Sequence, residues 1–74
     1  MREIKIGKTY LHFKGNKYQV LHIATHSETG EKLVVYEALY GDHTIYVRPY
    51  DMFNSPVDKE KYPEVKQEYR FEEL

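Results

Sequence analysis

The run Lys32-Leu33-Val34-Val35-Tyr36-Glu37-Ala38-Leu39-Tyr40 constrains this chain most, because its β-branched and aromatic residues follow no helical periodicity. It reads as a strand, and a strand needs neighbours to pair its backbone and cover its apolar side chains. Turn signals bracket it, Ser27-Glu28-Thr29-Gly30 before and Gly41-Asp42-His43-Thr44 after. Residues 18–26 contain neither proline nor glycine and supply one partner. Residues 45–48 supply another, and Pro49 ends that ladder because it has no N–H to donate. Thr9-Tyr10-Leu11-His12-Phe13, followed by the turn Lys14-Gly15-Asn16-Lys17, adds a further hairpin arm.

Residues 18–26 place Tyr18, Val20 and Ala24 on one alternating set and Leu21 and Ile23 on the other, which predicts a strand covered on both sides for part of its length. A type I turn closed by Gly30 in the left-handed region sets Ser27 opposite Glu31. Counting outward pairs His26 with Lys32, Ala24 with Val34, His22 with Tyr36 and Val20 with Ala38, while Ile23 meets Val35 and Leu21 meets Glu37 on the other face. A two-residue loop would shift the pairing by one and exchange the faces.

Residues 1–8 alternate charge with Ile4 and Ile6 and are a frayed arm or a short edge strand. Tyr50-Asp51-Met52-Phe53 forms one helical or 3-10 turn that plugs the sheet with Met52 and Phe53. Residues 54–67, charged and carrying Pro56 and Pro63, read as a loop. Within 64–74, Val65, Tyr69 and Phe71 are placed to close the sheet as a last strand. The predicted fold is therefore all-β, a small single-domain SH3-like barrel over residues 1–74, with about five strands and one short helical or 3-10 turn. An OB-like barrel is the second choice.

A chain of 74 residues buries only roughly 60% of the surface its unfolded form exposes, so the core is small. Eight tyrosines compensate, each bringing about 150–250 Å² of buriable surface with a polar tip. There is no cysteine, which excludes disulfides, thiolate metal sites and a thiol nucleophile. A formal charge of −1 supplies no global field for nucleic acid or anionic membrane, so any basic patch has to be local. With no apolar leader or membrane-length run, the expected address is cytoplasmic and no membrane partner is expected.

Four motifs in order, Tyr10-Leu11-His12-Phe13-Lys14-Gly15, Ala24-Thr25-His26-Ser27-Glu28-Thr29-Gly30, Val34-Val35-Tyr36-Glu37-Ala38-Leu39-Tyr40-Gly41 and Val47-Arg48-Pro49, resemble a family of short bacterial proteins. It is the domain of unknown function family sixteen fifty-three, and the likeness runs from Tyr10 to about Phe53. The resemblance implies an SH3-like barrel and no activity. Tyr46 stands where the family pattern leads one to expect tryptophan, which keeps the aromatic character, and the last segment is more acidic than the family's usual ending.

Among chemistry-bearing residues, His22 and His26 stand four apart on one strand face, about 13 Å, too far to share one zinc ion. His12 and His43 lack any sequence relation that would join them. Ser27 beside His26 and Glu28 lists a nucleophile, base and carboxylate, but neighbours in a tight turn point apart, and turn hydrogen bonding explains Ser27 and Thr29 better. No catalytic residue, metal or cofactor is assigned.

The set that invites function is aromatic and basic. If Ile45 and Val47 face the core, Tyr46 and Arg48 share the other face, with Tyr36 and Tyr40 arriving from the neighbouring strand. Such a surface suits a peptide or a stacked base. The plain alternative is that the tyrosines fill the core with hydroxyls at its rim, while Arg48 pairs with Asp42 or Asp51. The expected function is a non-enzymatic binding module for a protein or peptide, with ligand-binding residues Tyr36, Tyr40, Tyr46 and Arg48, and His26 and Glu28 at the turn above. Single-stranded nucleic acid, reached by the same tyrosines with Lys14, Lys17, Lys32 and Arg48, is the first alternative. A small enzyme using His26 or His12 with Arg48 is the second, and it requires a concave pocket holding both groups. Oligomeric state is left open.

Overall fold

The computed structural model describes residues 2–74; Met1, the first residue of the expected arm, lies outside them. Five strands, β1 (Thr9–His12), β2 (Lys17–Thr25), β3 (Lys32–Ala38), β4 (Ile45–Pro49) and β5 (Phe71–Glu73), form one antiparallel sheet in the order β4-β3-β2-β1-β5. One helical turn, α1 (Tyr50–Phe53), follows β4 directly. The expected all-β class, with about five strands and a single short helical turn, is what the chain adopts. The sheet is strongly curled: its edges do not pair, yet the Arg48 guanidinium of β4 lies 5.6 Å from the centre of the Phe71 ring of β5.

A bulge in β2 explains its doubled apolar pattern. Tyr18 and Val20 pair with Ala38 and Tyr36, then Leu21 is skipped, and His22 and Ile23 pair with Val35 and Val34. The extra residue switches the alternation, so Tyr18, Val20 and Ile23 all face inward from one strand, and the local twist that accompanies a bulge helps curl the sheet. The strand is thus not covered on both faces; it changes which alternating set is inside.

The predicted register is corrected by one residue near the turn and by two beyond the bulge. His26, not Ser27, faces Glu31: its N–H donates to the Glu31 carbonyl at 2.7 Å, and the Gly30 N–H donates back to the His26 carbonyl at 2.9 Å. The cause is local chemistry. The His26 Nδ1 accepts the N–H groups of Glu28 (3.2 Å) and Thr29 (3.3 Å), which wraps a four-residue loop around the imidazole. Ile23 therefore opposes Val34, and Ala24 moves to the outer face opposite Leu33.

The second correction concerns β4. Tyr46 pairs with Tyr36 and Arg48 with Val34, so both face inward, while Ile45 and Val47 are 60% and 58% exposed on the outside. A long amphipathic side chain can cover apolar surface with its body and keep its polar end wet, so an edge strand tolerates this orientation. Met52 is also exposed, leaving Phe53 alone as the plug at the end of the sheet.

The core comprises Ile4, Tyr10, Val20, Val34, Tyr36, Phe53 and Phe71. Phe53 and Phe71 stack with centroids 4.1 Å apart and planes at 8°, and Tyr10 meets Phe53 edge-on at 5.6 Å. The N-terminal arm is docked. Ile4 is buried, its N–H donates to the Tyr50 hydroxyl, and the Lys5 N–H donates to the Tyr10 hydroxyl, both at 2.9 Å. Of the expected closing residues, Phe71 enters the core and Tyr69 makes an isolated bridge with Pro56, while Val57 of the loop is buried instead of Val65.

Candidate functional site

Residues of β2, β3 and β4, with Tyr40 from the turn after β3, carry a row of rings across the concave side of the sheet. Tyr46 lies 5.7 Å from Tyr36, Tyr36 lies 5.5 Å from Tyr18, and Tyr18 lies 5.7 Å from Tyr40, measured between ring centroids. The Arg48 Nε donates to the Tyr36 hydroxyl at 3.3 Å, and neither Asp42 nor Asp51 forms an ion pair with it. The structure thus gathers Tyr36, Tyr46 and Arg48, with Tyr40 joined through Tyr18. Their exposures differ: Tyr36 is buried, while Tyr40 and Tyr46 are each 43% exposed.

His26 and Glu28 sit elsewhere, at the tip of the β2–β3 hairpin. Glu31, the hydrogen-bond partner of His26, precedes β3 and is five residues from Tyr36, about 17 Å at the rise of a strand. The imidazole there serves the turn.

Beside the ring row lies a cleft of about 340 Å³. Its cationic side chains are Lys14, Arg48, Lys61 and Arg70; Asp58 is its one carboxylate, and His12, Phe13 and Tyr62 complete the lining. The β1–β2 turn positions the first of these. His12 Nδ1 accepts the Lys14 N–H at 3.1 Å, and the His12 ring stacks on Phe13 at 4.5 Å. Phe13 in turn meets Tyr62 at 4.9 Å, which ties the loop after α1 to the turn. The pairing of a histidine with Arg48 in one concavity therefore occurs with His12 and not with His26.

Residues 8–73 match the family described as protein of unknown function (DUF1653). The chain belongs to that family. No curated protein and no solved structure matches it.

Among the described residues of this DUF1653 protein, two groups have perturbed acidity. Burial, then the nearby charges of Arg48, Lys14 and Arg70, hold the His12 imidazole below its ordinary 6.5. Burial, then the hydrogen bond with Tyr40, pushes the Tyr18 hydroxyl up to about 12. Tyr18, Phe13, Lys61, Tyr62 and Arg70 escaped the sequence reading of the DUF1653 chain. Tyr18 had a findable signal, its place on the same alternating set as Val20, whereas positions 61, 62 and 70 share no spacing with 14 or 48.

Proposed function

We propose that this DUF1653 protein is a non-enzymatic binding module whose ligand is a protein or peptide segment laid across the aromatic row. The carrying observation is the continuity of Tyr46, Tyr36, Tyr18 and Tyr40, with exposed rings at both ends and Arg48 fixed beside them. Tyrosines offer rigid, flat contact area at low entropic cost, and an extended peptide presents flat, weakly hydrated faces to match. We read the curled five-stranded sheet as SH3-like, and its concave side as the ligand side.

Titrating proline-rich and unstructured peptides while following backbone amides tests this. Shifts are expected at Tyr40, Tyr46 and Arg48, and Tyr46→Ala should weaken binding by about tenfold, the scale of an exposed aromatic anchor. No shift at these positions with any peptide would overturn the reading. Single-stranded nucleic acid is the second reading, favoured by the cations grouped beside the rings. Oligonucleotide binding at Tyr40 and Tyr46 that falls steeply with salt would select it.

A further inference from the structure

The cleft beside the ring row concentrates positive charge that the chain itself does not neutralise. Its four cations come from four separate segments: Lys14 from the β1–β2 turn, Arg48 from β4, Lys61 from the loop after α1, and Arg70 from the position before β5. They are four of eleven lysines and arginines, and Asp58 is one of twelve acids, so the cleft carries +3 and the remaining seven cations and eleven acids carry −4. Gathering like charges costs free energy. Among the described residues the ion pairs are Lys5 with Glu73 and His43 with Glu37, and neither touches the cleft. Asp58 is partly occupied, its Oδ1 accepting the N–H groups of Glu60 (3.1 Å) and Lys61 (3.3 Å). With its Nδ1 accepting from Lys14, a neutral His12 carries its proton on Nε2 and adds an uncharged donor.

We infer that this cleft is a phosphoryl-binding site, and that the segment crossing the aromatic row is a peptide with a phosphorylated side chain entering it. The second half rests on the binding-module reading above. A net +3 spread over separate donors matches a dianion with three acceptor oxygens better than a planar, singly charged carboxylate, which one arginine fork would satisfy. Arg48 belongs to both places, lining the cleft and donating to Tyr36, so the side chain and its backbone can be held at once. A polyanion is disfavoured because nucleic acid extending past the cleft meets a surface of net −4, whereas a single phosphoryl group meets only the basic spot.

The test is an amide and arginine Nε NMR titration of the full chain with inorganic phosphate, the blocked amino acids O-phosphoserine and O-phosphotyrosine, and oligo-dT. Phosphate and at least one phosphoamino acid should move Lys14, Lys61, Arg70 and the Arg48 Nε while leaving the 27–30 turn still. The phosphoamino acid should bind more tightly than inorganic phosphate. Lys14→Gln and Lys61→Gln alter exposed side chains and should each weaken binding by about three- to fivefold; raising salt to about 0.5 M should weaken the unaltered chain in the same direction. A cleft unmoved by millimolar phosphate and phosphoamino acids overturns the site. Phosphoamino acids no tighter than phosphate overturn its peptide half, as does tighter binding of oligo-dT. Unphosphorylated peptides that shift Tyr40 and Tyr46 while the cleft stays silent would keep the binding module and overturn this inference; the converse would keep the phosphoryl site and overturn the module.

Discussion

Tyr18 and His12 are part-buried side chains whose acidity is displaced in opposite directions, so they tie stability to pH on opposite sides of neutrality. The unfolded Tyr18 loses its proton near 10 and the folded one near 12, held back by burial and by the Tyr40 hydroxyl 2.9 Å away. Its contribution is complete below pH 10 and is lost as pH rises from 10 to about 12. His12 is the mirror case. Its folded pKa lies below 6.5, so the unfolded chain takes up the proton first, and stability complete above pH 6.5 declines as pH falls through the folded value. Urea midpoints should therefore fall as pH rises above 10 and again as it drops below 6.5. Tyr18→Phe should flatten the alkaline drop, and His12→Gln should reduce the onset on the acid side. An alkaline drop identical in Tyr18→Phe would mean that the hydroxyl pair is not responsible.

At the level of elements, β4 and the bulge in β2 decide what faces the ligand side. Val34 is fully buried on β3, while Val47 on β4 is 58% exposed although both are valines in adjacent strands. Val34→Ala should cost about 2 kcal/mol, from lost transfer free energy and the cavity left behind, whereas Val47→Ala should cost under about 0.5 kcal/mol. Urea denaturation of the two variants distinguishes this arrangement from the inverse one, in which Ile45 and Val47 face the core. An exposed apolar edge strand is also an invitation to self-pairing. Val47→Lys should lower any self-association seen by sedimentation without moving the Arg48 and Tyr46 resonances. The strands themselves were legible in the sequence because β-branched runs and turn residues act locally. The orientation of β4 was not, since an apolar pair at 45 and 47 and an aromatic–arginine pair at 46 and 48 alternate equally well, and the choice lies in what β3 and β5 offer opposite.

For the whole molecule, Phe53 and Phe71 join the helical turn, the last strand and the sheet through one stacked contact at 4.1 Å. A domain of this size is worth roughly 4–11 kcal/mol in all. Phe53→Ala should remove about 3–5 kcal/mol of it and leave a population unfolded at ordinary temperature, visible as collapsed amide dispersion. The Arg48 guanidinium, which lines the cleft, lies 5.6 Å from the centre of the Phe71 ring. By itself the sequence determined the all-β class and the placement of the main strands and turns, because backbone preference and turn chemistry each act over a few residues. The tertiary structure alone decided the register past the 27–30 turn, the burial of Tyr36, the outward turn of Ile45 and Val47, and the meeting of Lys14, Arg48, Lys61 and Arg70. A bulge, a loop wrapped on an imidazole and charges from four distant segments leave no periodic trace in a chain; only the curling of the sheet brings those charges to one cleft.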